Sequence, residues 1–319
     1  MGARNGSKKR IVVTGGGTGV YSVLTGLKPH DVDLTAIVTM ADDGGSTGIL
    51  REEFGILPPG DIRRALLALS RSDNRILAEL LNYRFREGTG LRGHNFGNLM
   101  ITALERITGN FTKAIHEAGK ILSVKGRVVP VTLDRPKLYA ELEDGSTVKG
   151  ETNIDIPNHN GRLKIKRIWL EPRAKLNPAA REALLSADAV IIGPGDLYTS
   201  IMPNLVVTGF PEALKKSGAK KIYIANIMTK FGETNNFRAT DFVCAIHGAL
   251  GPDALDYVLV NTKRPNPGRL KKYAEEKAMF VEAGELSNGP MPIFGDFVRP
   301  KGFLRHDPEK LAKAILSLV

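Results

Sequence analysis

Residues 11–19 read IVVTGGGTG, a short β-branched run that passes directly into a glycine loop. Residues 34–48, LTAIVTMADDGGSTG, repeat the arrangement: Leu34–Met40 is apolar and Ala41–Gly48 consists mostly of small residues. Helical patterns follow both loops. Because short apolar strands alternating with helices indicate a parallel sheet with crossover helices, we predict an α/β fold. Its sheet is Rossmann-like, doubly wound and mostly parallel.

The same alternation resumes in the second half of the chain. The strands predicted there are Ala189–Ile192, Lys221–Ile227 and Asp256–Val260. Helical spacing predicts helices over Asn74–Phe85 and Asn98–Ile107, and Asp307 with Pro308 opens a last helix that runs to Val319. The sequence has no repeats and no Ser/Gly linker, so we interpret residues 1–319 as one domain.

Between the two halves the pattern changes to antiparallel β-structure. The stretches without helical period are Arg127–Leu133, Lys137–Glu143, Thr147–Asn153 and Leu163–Leu170. Asp144-Gly145 stands between two of them and is a strong hairpin signal. We therefore predict an antiparallel β insertion over about residues 128–171, serving as a lid or a dimer surface.

Composition restricts the class of protein. The 319 residues are 42% hydrophobic, enough to bury a core, and the net charge of +11 favours anionic partners. One cysteine, Cys244, excludes an intrachain disulfide framework and indicates a reducing compartment; its apolar neighbours place it in the core. No apolar run approaches the roughly 18 residues of a membrane span, and no signal peptide is evident. We expect a cytoplasmic protein without a membrane span. Basic residues lack an aromatic platform, so nucleic-acid binding is not expected.

Candidate ligand-binding residues follow the strands, because ligands of open parallel sheets bind beyond the carboxyl ends of the strands. The loop after the first strand has the composition of a phosphate-binding turn at a helix N-terminus, although Val20 breaks the strict dinucleotide pattern. Its candidate residues are Gly15, Gly16, Gly17, Thr18 and Gly19.

The loop after the second strand carries two adjacent carboxylates. Asp42 and Asp43 could hold Mg²⁺ or accept hydrogen bonds from ribose and sugar hydroxyls. The alternative is a solvated turn with Ser46 or Thr47 as a helix cap. The candidates here are Asp42, Asp43, Gly44, Gly45 and Ser46, with Asp42 and Asp43 as the metal ligands.

Further polar loops converge on the same edge if the fold is right. His94, Asn95 and Asn98 stand at a helix start and suit a ring or phosphate contact. The loop after Ile192 supplies Gly193, Gly195, Leu197, Tyr198, Thr199 and Ser200, and later loops supply Asn204, Asn226, Thr229, Lys230 and Arg305. By contrast, we interpret Asp61 as a helix N-cap and Arg63 and Arg64 as solvated, although Arg63 could reach a phosphate.

Six strings make the sequence similar to the bacterial gluconeogenesis-factor family, the YvcK-like group. They are IVVTGGGTG, TMADDGGSTG, LPPGDIRRAL, RGHNFGNL, GPGDLYTSIMPNL and NIMTKFGETNNF. This group is related to 2-phospho-L-lactate transferase (CofD). The resemblance implies a Rossmann-like domain that binds a nucleotide sugar such as UDP-N-acetylglucosamine and acts in cell shape and in growth on gluconeogenic carbon sources. One departure is Asp196, where the family pattern has Ser; a carboxylate there weakens anion binding unless it points away or holds a cation.

Two functional hypotheses follow. In the first, the chain is a gluconeogenesis factor: a regulatory protein that binds a UDP-sugar, needs no cofactor, has no catalytic residue, and contacts a protein partner not yet identified or forms a homo-oligomer. In the second, it is a Mg²⁺-dependent transferase of a phosphorylated group, like 2-phospho-L-lactate transferase, with Mg²⁺ on Asp42 or Asp43. A nicotinamide dehydrogenase is disfavoured by Val20, although NAD could still bind weakly in such a crevice.

Overall fold

The computed structural model describes residues 8–71, 75–286 and 289–319. Asn74, the first residue of one predicted helix, lies outside the described residues. The strands are β1 (Lys9–Gly15), β2 (Val32–Val38), β3 (Arg127–Pro130), β4 (Lys137–Leu142), β5 (Thr147–Lys149), β6 (Ile165–Glu171), β7 (Ala189–Ile192), β8 (Lys220–Ile224), β9 (Tyr257–Asn261) and β10 (Met291–Gly295).

Helices connect and cover these strands. They are α1 (Gly17–Leu27), α2 (Gly45–Phe54), α3 (Pro59–Leu69), α4 (Arg75–Asn82), α5 (Phe96–Thr108), α6 (Phe111–Ile121), α7 (Glu151–Asp155), α8 (Pro178–Ser186), α9 (Met202–Leu205), α10 (Phe210–Lys216), α11 (Ala239–Leu250), α12 (Pro267–Glu275) and α13 (Pro308–Leu316). A π-helical turn, Leu197–Ile201, directly precedes α9. Among the described residues, no helix is both long enough and apolar enough to span a membrane.

Seven strands form one parallel sheet in the order β10-β9-β8-β7-β1-β2-β3, which confirms the predicted doubly wound α/β class. Side chains alternate across it. Val12 packs into the core cluster on one face, whereas Ile11 and Val13 pack into the cluster on the other face. From β1 the chain winds outward to β2 on one side and later returns to β7 on the other. The boundary between β1 and β7 is therefore the topological switch point. The crossover connections run to opposite sides there, which opens a crevice beyond the carboxyl ends of the two strands.

The insertion is smaller than predicted. It consists of an antiparallel sheet, β5-β4-β6, with the predicted hairpin between β4 and β5, in which Gly145 has φ +84°. The start of the predicted insertion was wrong, because β3 pairs parallel with β2 and extends the large sheet. The strand predicted over Thr147–Asn153 was also wrong beyond Lys149, where α7 begins two residues later.

Predictions at the chain's local signals had mixed outcomes. The last helix is confirmed: the Asp307 carboxylate accepts from the amides of Glu309 and Lys310 at 3.0 and 3.1 Å. The core position of Cys244 was wrong, because its side chain is exposed on α11. Apolar neighbours such as Phe242 face the core from the same helix, and helical periodicity turns position 244 away from them.

Candidate functional site

A crevice with two adjoining lobes lies beyond the carboxyl ends of β1 and β7. The first, of about 650 Å³, has apolar walls that include Ile156, Phe231 and Tyr273, and we term it the apolar lobe. The second, of about 580 Å³, contains Asp42 and Asp61 and is termed the acidic lobe. The two lobes share the lining residues Thr18, Gly19, Asp155, Ile156, Gly195, Asp196, Lys230 and Arg305.

The glycine loops that follow β1 and β7 touch each other at the base of the crevice. A Cβ at Gly19 would stand 1.9 Å from the Pro194 carbonyl oxygen, and one at Gly195 would stand 3.4 Å from the Gly16 oxygen. Gly19 lies in the first turn of α1, whose amides there have no carbonyl partner within the helix. The glycines thus let the β7 loop pack against the first turn of α1, whose positive end lines the crevice.

The acidic lobe contains two carboxylates, those of Asp42 and Asp61, whose charges influence each other. Asp61 is buried and accepts from the Gly17 amide at 3.0 Å, and Arg64 lies 3.6 Å from the same oxygen. Burial, followed by the charge of Asp42, raises the pKa of Asp61 to about 6. Burial also raises the pKa of Asp42. Gly16 and Gly60 provide the room, since a Cβ at either would lie 2.6 Å from one of these carboxylates.

Asp61 corrects one prediction. It is not a helix N-cap: α3 begins at Pro59, and Asp61 instead accepts a hydrogen bond from the Gly17 amide at the start of α1. The Pro58-Pro59 turn already starts the helix without a side-chain cap, so the carboxylate is available for this long-range contact.

Asp42 and Asp43 have different surroundings although they are adjacent. Asp42 lines the acidic lobe. Asp43 binds the N-terminus of α7: its carboxylate accepts from the amides of Glu151 and Thr152 at 3.1 and 2.9 Å, and from the Thr152 hydroxyl at 2.8 Å. Asp43 therefore fastens α7 of the insertion beside the acidic lobe. Asp42, rather than Asp43, has the position of a metal ligand, and its partner there is Asp61.

Glu151 adds a third acidic group to the lobe. Burial, and then the charges of Asp42, Asp155, Asp43 and Asp61, raise its pKa to about 9. The carboxyl group is therefore protonated at neutral pH. A cation among these groups would favour their charged forms. Among the described residues, however, the three acidic side chains close enough together to share one metal ion are Asp155, Asp196 and Glu233, and the ammonium group of Lys230 stands among them. In the acidic lobe, Asp42 and Asp61 are the carboxylates that could hold a hard divalent ion.

Below the acidic lobe, buried polar residues tie the α5 N-terminus to α2. Ser46 Oγ accepts from the Asn95 amide at 3.0 Å, and the Asn95 side chain caps α5 by accepting from the Asn98 amide. Ser46 and Thr47 lie inside α2, whose N-cap is Gly44, so the cap prediction for them was wrong. His94 stands 3.5 Å from Ser46 Oγ and is buried behind it.

Arg63 completes this network and corrects a second prediction. It is buried rather than solvated, donating to Asn98 Oδ1 at 3.1 Å and to Asn82 Oδ1 at 2.6 Å. Burial lowers its pKa to about 10. Arg64 remains half-exposed at the mouth of the lobe, where Arg84 also lies.

Lys230 is the cation that accompanies Asp196. Its Nζ binds Asp196 at 2.9 Å, contacts Asp155 of α7, and lies 3.6 Å from Glu233. Burial lowers the Lys230 pKa, but the carboxylates of Asp196, Glu233 and Asp155 outweigh it and hold this pKa above its ordinary value. Asp196, which replaces the Ser of the family pattern, is therefore paired with the ammonium group of Lys230.

Glu233 organises the π-helical turn from beneath. It accepts from the Tyr198 amide at 2.9 Å and from the Thr199 hydroxyl at 3.0 Å. Burial, and then Asp196, raise its pKa to about 8. Asn204 is also buried and donates to Ser200 O at 2.9 Å.

The remaining predicted residues lie on or behind the walls. Asn226 donates to Gly195 O at 2.9 Å, and Thr229 bonds both ways with the Met279 backbone. Arg305 is exposed beside both lobes. The structure gives these predicted residues crevice-lining positions: Gly16, Gly17, Thr18, Gly19, Asp42, Gly44, Gly45, Ser46, Asn98, Gly195, Thr199, Ser200, Asn226, Thr229, Lys230 and Arg305. It places these others in supporting positions: Gly15, Asp43, His94, Asn95, Gly193, Leu197, Tyr198 and Asn204.

Sequence reasoning missed several lining residues. In sequence, the strands of the parallel sheet end far from Arg84, Glu151 and Asp155. These residues reach the crevice only through the folding of α4 and of the insertion. Asp61 had a usable signal, its place in LPPGDIRR one helix after the acidic loop, but a cap explained that residue more simply.

Known proteins with similar sequences identify the family of this chain. The family model of 2-phospho-L-lactate transferase CofD matches residues 11–291. The chain belongs to the CofD family. A protein from Nostoc sp. is 46% identical to this CofD-family chain over 315 residues, covering 97% of the chain and 68% of its own length. The gluconeogenesis factor of Bacillus subtilis is 42% identical over 320 residues, covering 98% of this chain and 99% of its own.

A solved structure supports the same relationship. The crystal structure of a UPF0052-family protein from Bacillus halodurans matches with a TM-score of 0.92 at 43% identity, and covers 98% of this chain and 100% of that one. The CofD-family fold and the resemblance to gluconeogenesis factors, both expected from the sequence, are confirmed.

Proposed function

We propose that this CofD-family chain is a regulatory protein that binds a UDP-sugar in the two-lobed crevice. The observation that carries the proposal is the meeting of the β1 and β7 glycine loops at the switch point, with the N-terminus of α1 between the lobes. Such a helix end binds a diphosphate without a dedicated base. Each lobe falls within the roughly 300–1,000 Å³ of small-molecule sites, so a nucleoside and a sugar can occupy separate lobes.

The apolar lobe suits the nucleobase, because Phe231, Tyr273 and Ile156 offer flat apolar walls. The acidic lobe suits the sugar, whose hydroxyls donate to carboxylates. Arg64, Arg84 and Arg305 at the mouth neutralise the phosphates. Relatives named gluconeogenesis factor support a role in gluconeogenic growth, and we extend the role in cell shape to this chain on the same resemblance.

A second candidate is a Mg²⁺-dependent transfer of a phosphorylated group. The observation that favours it is the cluster of Asp42, Asp61 and Glu151 with raised pKa values. Asp42 and Asp61 would hold the ion, which would offset phosphate charge. The family name, 2-phospho-L-lactate transferase, supports this candidate.

Calorimetric titration with UDP-N-acetylglucosamine, with and without Mg²⁺, separates the two. We expect micromolar binding without the metal, and binding of NAD at least tenfold weaker. Binding that requires Mg²⁺, is lost in Asp42→Asn and is followed by slow product heat contradicts the regulator and supports the transferase. No binding in either condition contradicts the UDP-sugar proposal.

A further inference from the structure

The insertion ends in a strand with one unpaired edge. In the sheet β5-β4-β6, strand β6 pairs with β4 on one side, where Trp169 stands opposite Tyr139. Ile168 and Leu170 of β6 face the core, whereas Arg167 and Trp169 face outward. The amides and carbonyls on the outer edge of such a strand are available to another chain.

A groove runs along this edge. Its volume is about 590 Å³, and four consecutive β6 residues, Arg167–Leu170, form one wall. Val206 and Thr208 contribute to the lining, as do Arg173 and Ala174 beyond the strand end. We term this feature the β6 groove. It combines a free backbone edge with apolar surface from the partly exposed Val206, whereas Ile168 and Leu170 are buried in the core and contribute little to it.

The β6 groove is positively charged. Lys166 and Arg167 share one counter-charge, Glu141, at 2.9 and 2.6 Å. Arg173 is exposed and makes no ion pair with any residue that the structure describes. The guanidinium of Arg167 also lies over the Trp169 ring, 5.3 Å from its centroid. An incoming carboxylate can therefore pair with Arg173, whereas Lys166 and Arg167 are partly neutralised by Glu141, and Trp169 Nε1 already donates to Glu171 at 3.4 Å.

We propose that the β6 groove binds an extended acidic segment of a partner protein as an added β-strand. Backbone hydrogen bonds form along the free edge, carboxylates pair with Arg173 and Arg167, and alternate apolar side chains enter between β6 and Val206. A second copy of this chain fits less well, because each copy carries a net charge of +11 and presents the same basic groove. The inference does not depend on the ligand of the crevice.

The chain supplies its own reporter, since Trp169 is its one tryptophan. The probe is a capped, fluorescein-labelled peptide of alternating Glu and Val, about six residues long. We expect saturable anisotropy together with a change in Trp169 emission. The same peptide with alternate amides N-methylated, and a Lys–Val peptide, each bind about tenfold more weakly or worse, because the first lacks edge donors and the second has the wrong charge.

Variants complete the test. Arg173→Glu lowers the affinity for the Glu–Val peptide about tenfold, whereas the matched exposed change Arg181→Glu on α8 leaves it unchanged. Equal affinity for the Lys–Val or N-methylated peptide, or an Arg173→Glu variant that binds normally, overturns the proposal. So does a single-stranded oligonucleotide that perturbs Trp169 at lower concentration than the peptide. A wild-type dimer that Arg173→Glu dissociates in sedimentation also overturns it, because the edge is then occupied by a second copy.

Discussion

Gly19 of α1 packs directly on the backbone of Pro194, so closely that a Cβ at position 19 would lie 1.9 Å from the Pro194 carbonyl oxygen. The loops that follow β1 and β7 are thus in direct contact through a glycine at the base of the crevice. The same two loops also meet at Gly195, where a Cβ would lie at a contact distance of 3.4 Å from the Gly16 oxygen.

The variant Gly19→Ala tests this contact. The added methyl must displace backbone, so we expect a loss of roughly 2–4 kcal/mol in the free energy of unfolding and at least tenfold weaker nucleotide-sugar binding. Thermal denaturation and calorimetry measure the two. The control is Gly248→Ala in α11, where a Cβ meets nothing within 4 Å; it should be neutral or slightly stabilising. If Gly19→Ala binds and melts like Gly248→Ala, the contact does not shape the crevice.

Removing Lys230 leaves three carboxylates without their cation. We expect Lys230→Met to lower the free energy of unfolding by roughly 1–3 kcal/mol at pH 9, and by less at pH 6, because Glu233, whose pKa is about 8, is charged at the higher pH and protonated at the lower one. Urea denaturation at the two pH values measures the effect. The exposed change Lys301→Met serves as the control. A deficit that is the same at both pH values would show that Lys230 contributes packing and not charge.

The pKa of Asp61 gives a pH dependence with a defined sign. Its pKa rises from 3.8 to about 6 on folding, so the folded chain keeps a proton that the unfolded chain releases. The free energy of unfolding therefore falls as the pH rises through that window. In Asp61→Asn this loss disappears, and between pH 4 and pH 7 the variant gains roughly 1–3 kcal/mol relative to wild type. Denaturant titrations across the range measure it. Curves for wild type and Asp61→Asn that stay parallel, like those of the exposed control Asp253→Asn, contradict the assignment.

Asp43 controls the position of α7. Asp43→Ala removes acceptors from the Glu151 and Thr152 amides and from the Thr152 hydroxyl. We expect amide exchange over residues 150–156 to accelerate about tenfold or more, while exchange in β1 is unchanged. Hydrogen exchange monitored by mass spectrometry gives the readout. The matched control is Asp144→Ala in the hairpin of the same insertion, which removes the acceptor of hydrogen bonds from the Ser146 amide and hydroxyl. Unchanged exchange in α7 would mean that the Lys230–Asp155 contact holds this helix in place by itself.

The sequence by itself determined the sheet, its crossover helices and the edge at which the crevice lies. These depend on local patterns: β-branched runs that must be buried on both faces, and glycines where a strand turns into a helix. It also determined the hairpin at Asp144-Gly145 and the cap at Asp307, because turns and caps are satisfied by residues two or three positions away.

Only the tertiary structure decided what each polar residue does at that edge. Asp42 and Asp43 are equivalent in sequence, yet one faces the acidic lobe and the other binds α7, because the insertion folds back over the β2 loop. Asp61 and Arg63 acquired hydrogen-bond partners in Gly17 and Asn98, 44 and 35 residues away in the chain. A hydrogen-bond partner that distant leaves no periodic trace in the sequence, so a local cap or a solvated surface remained the simpler interpretation until the fold brought the pairs together.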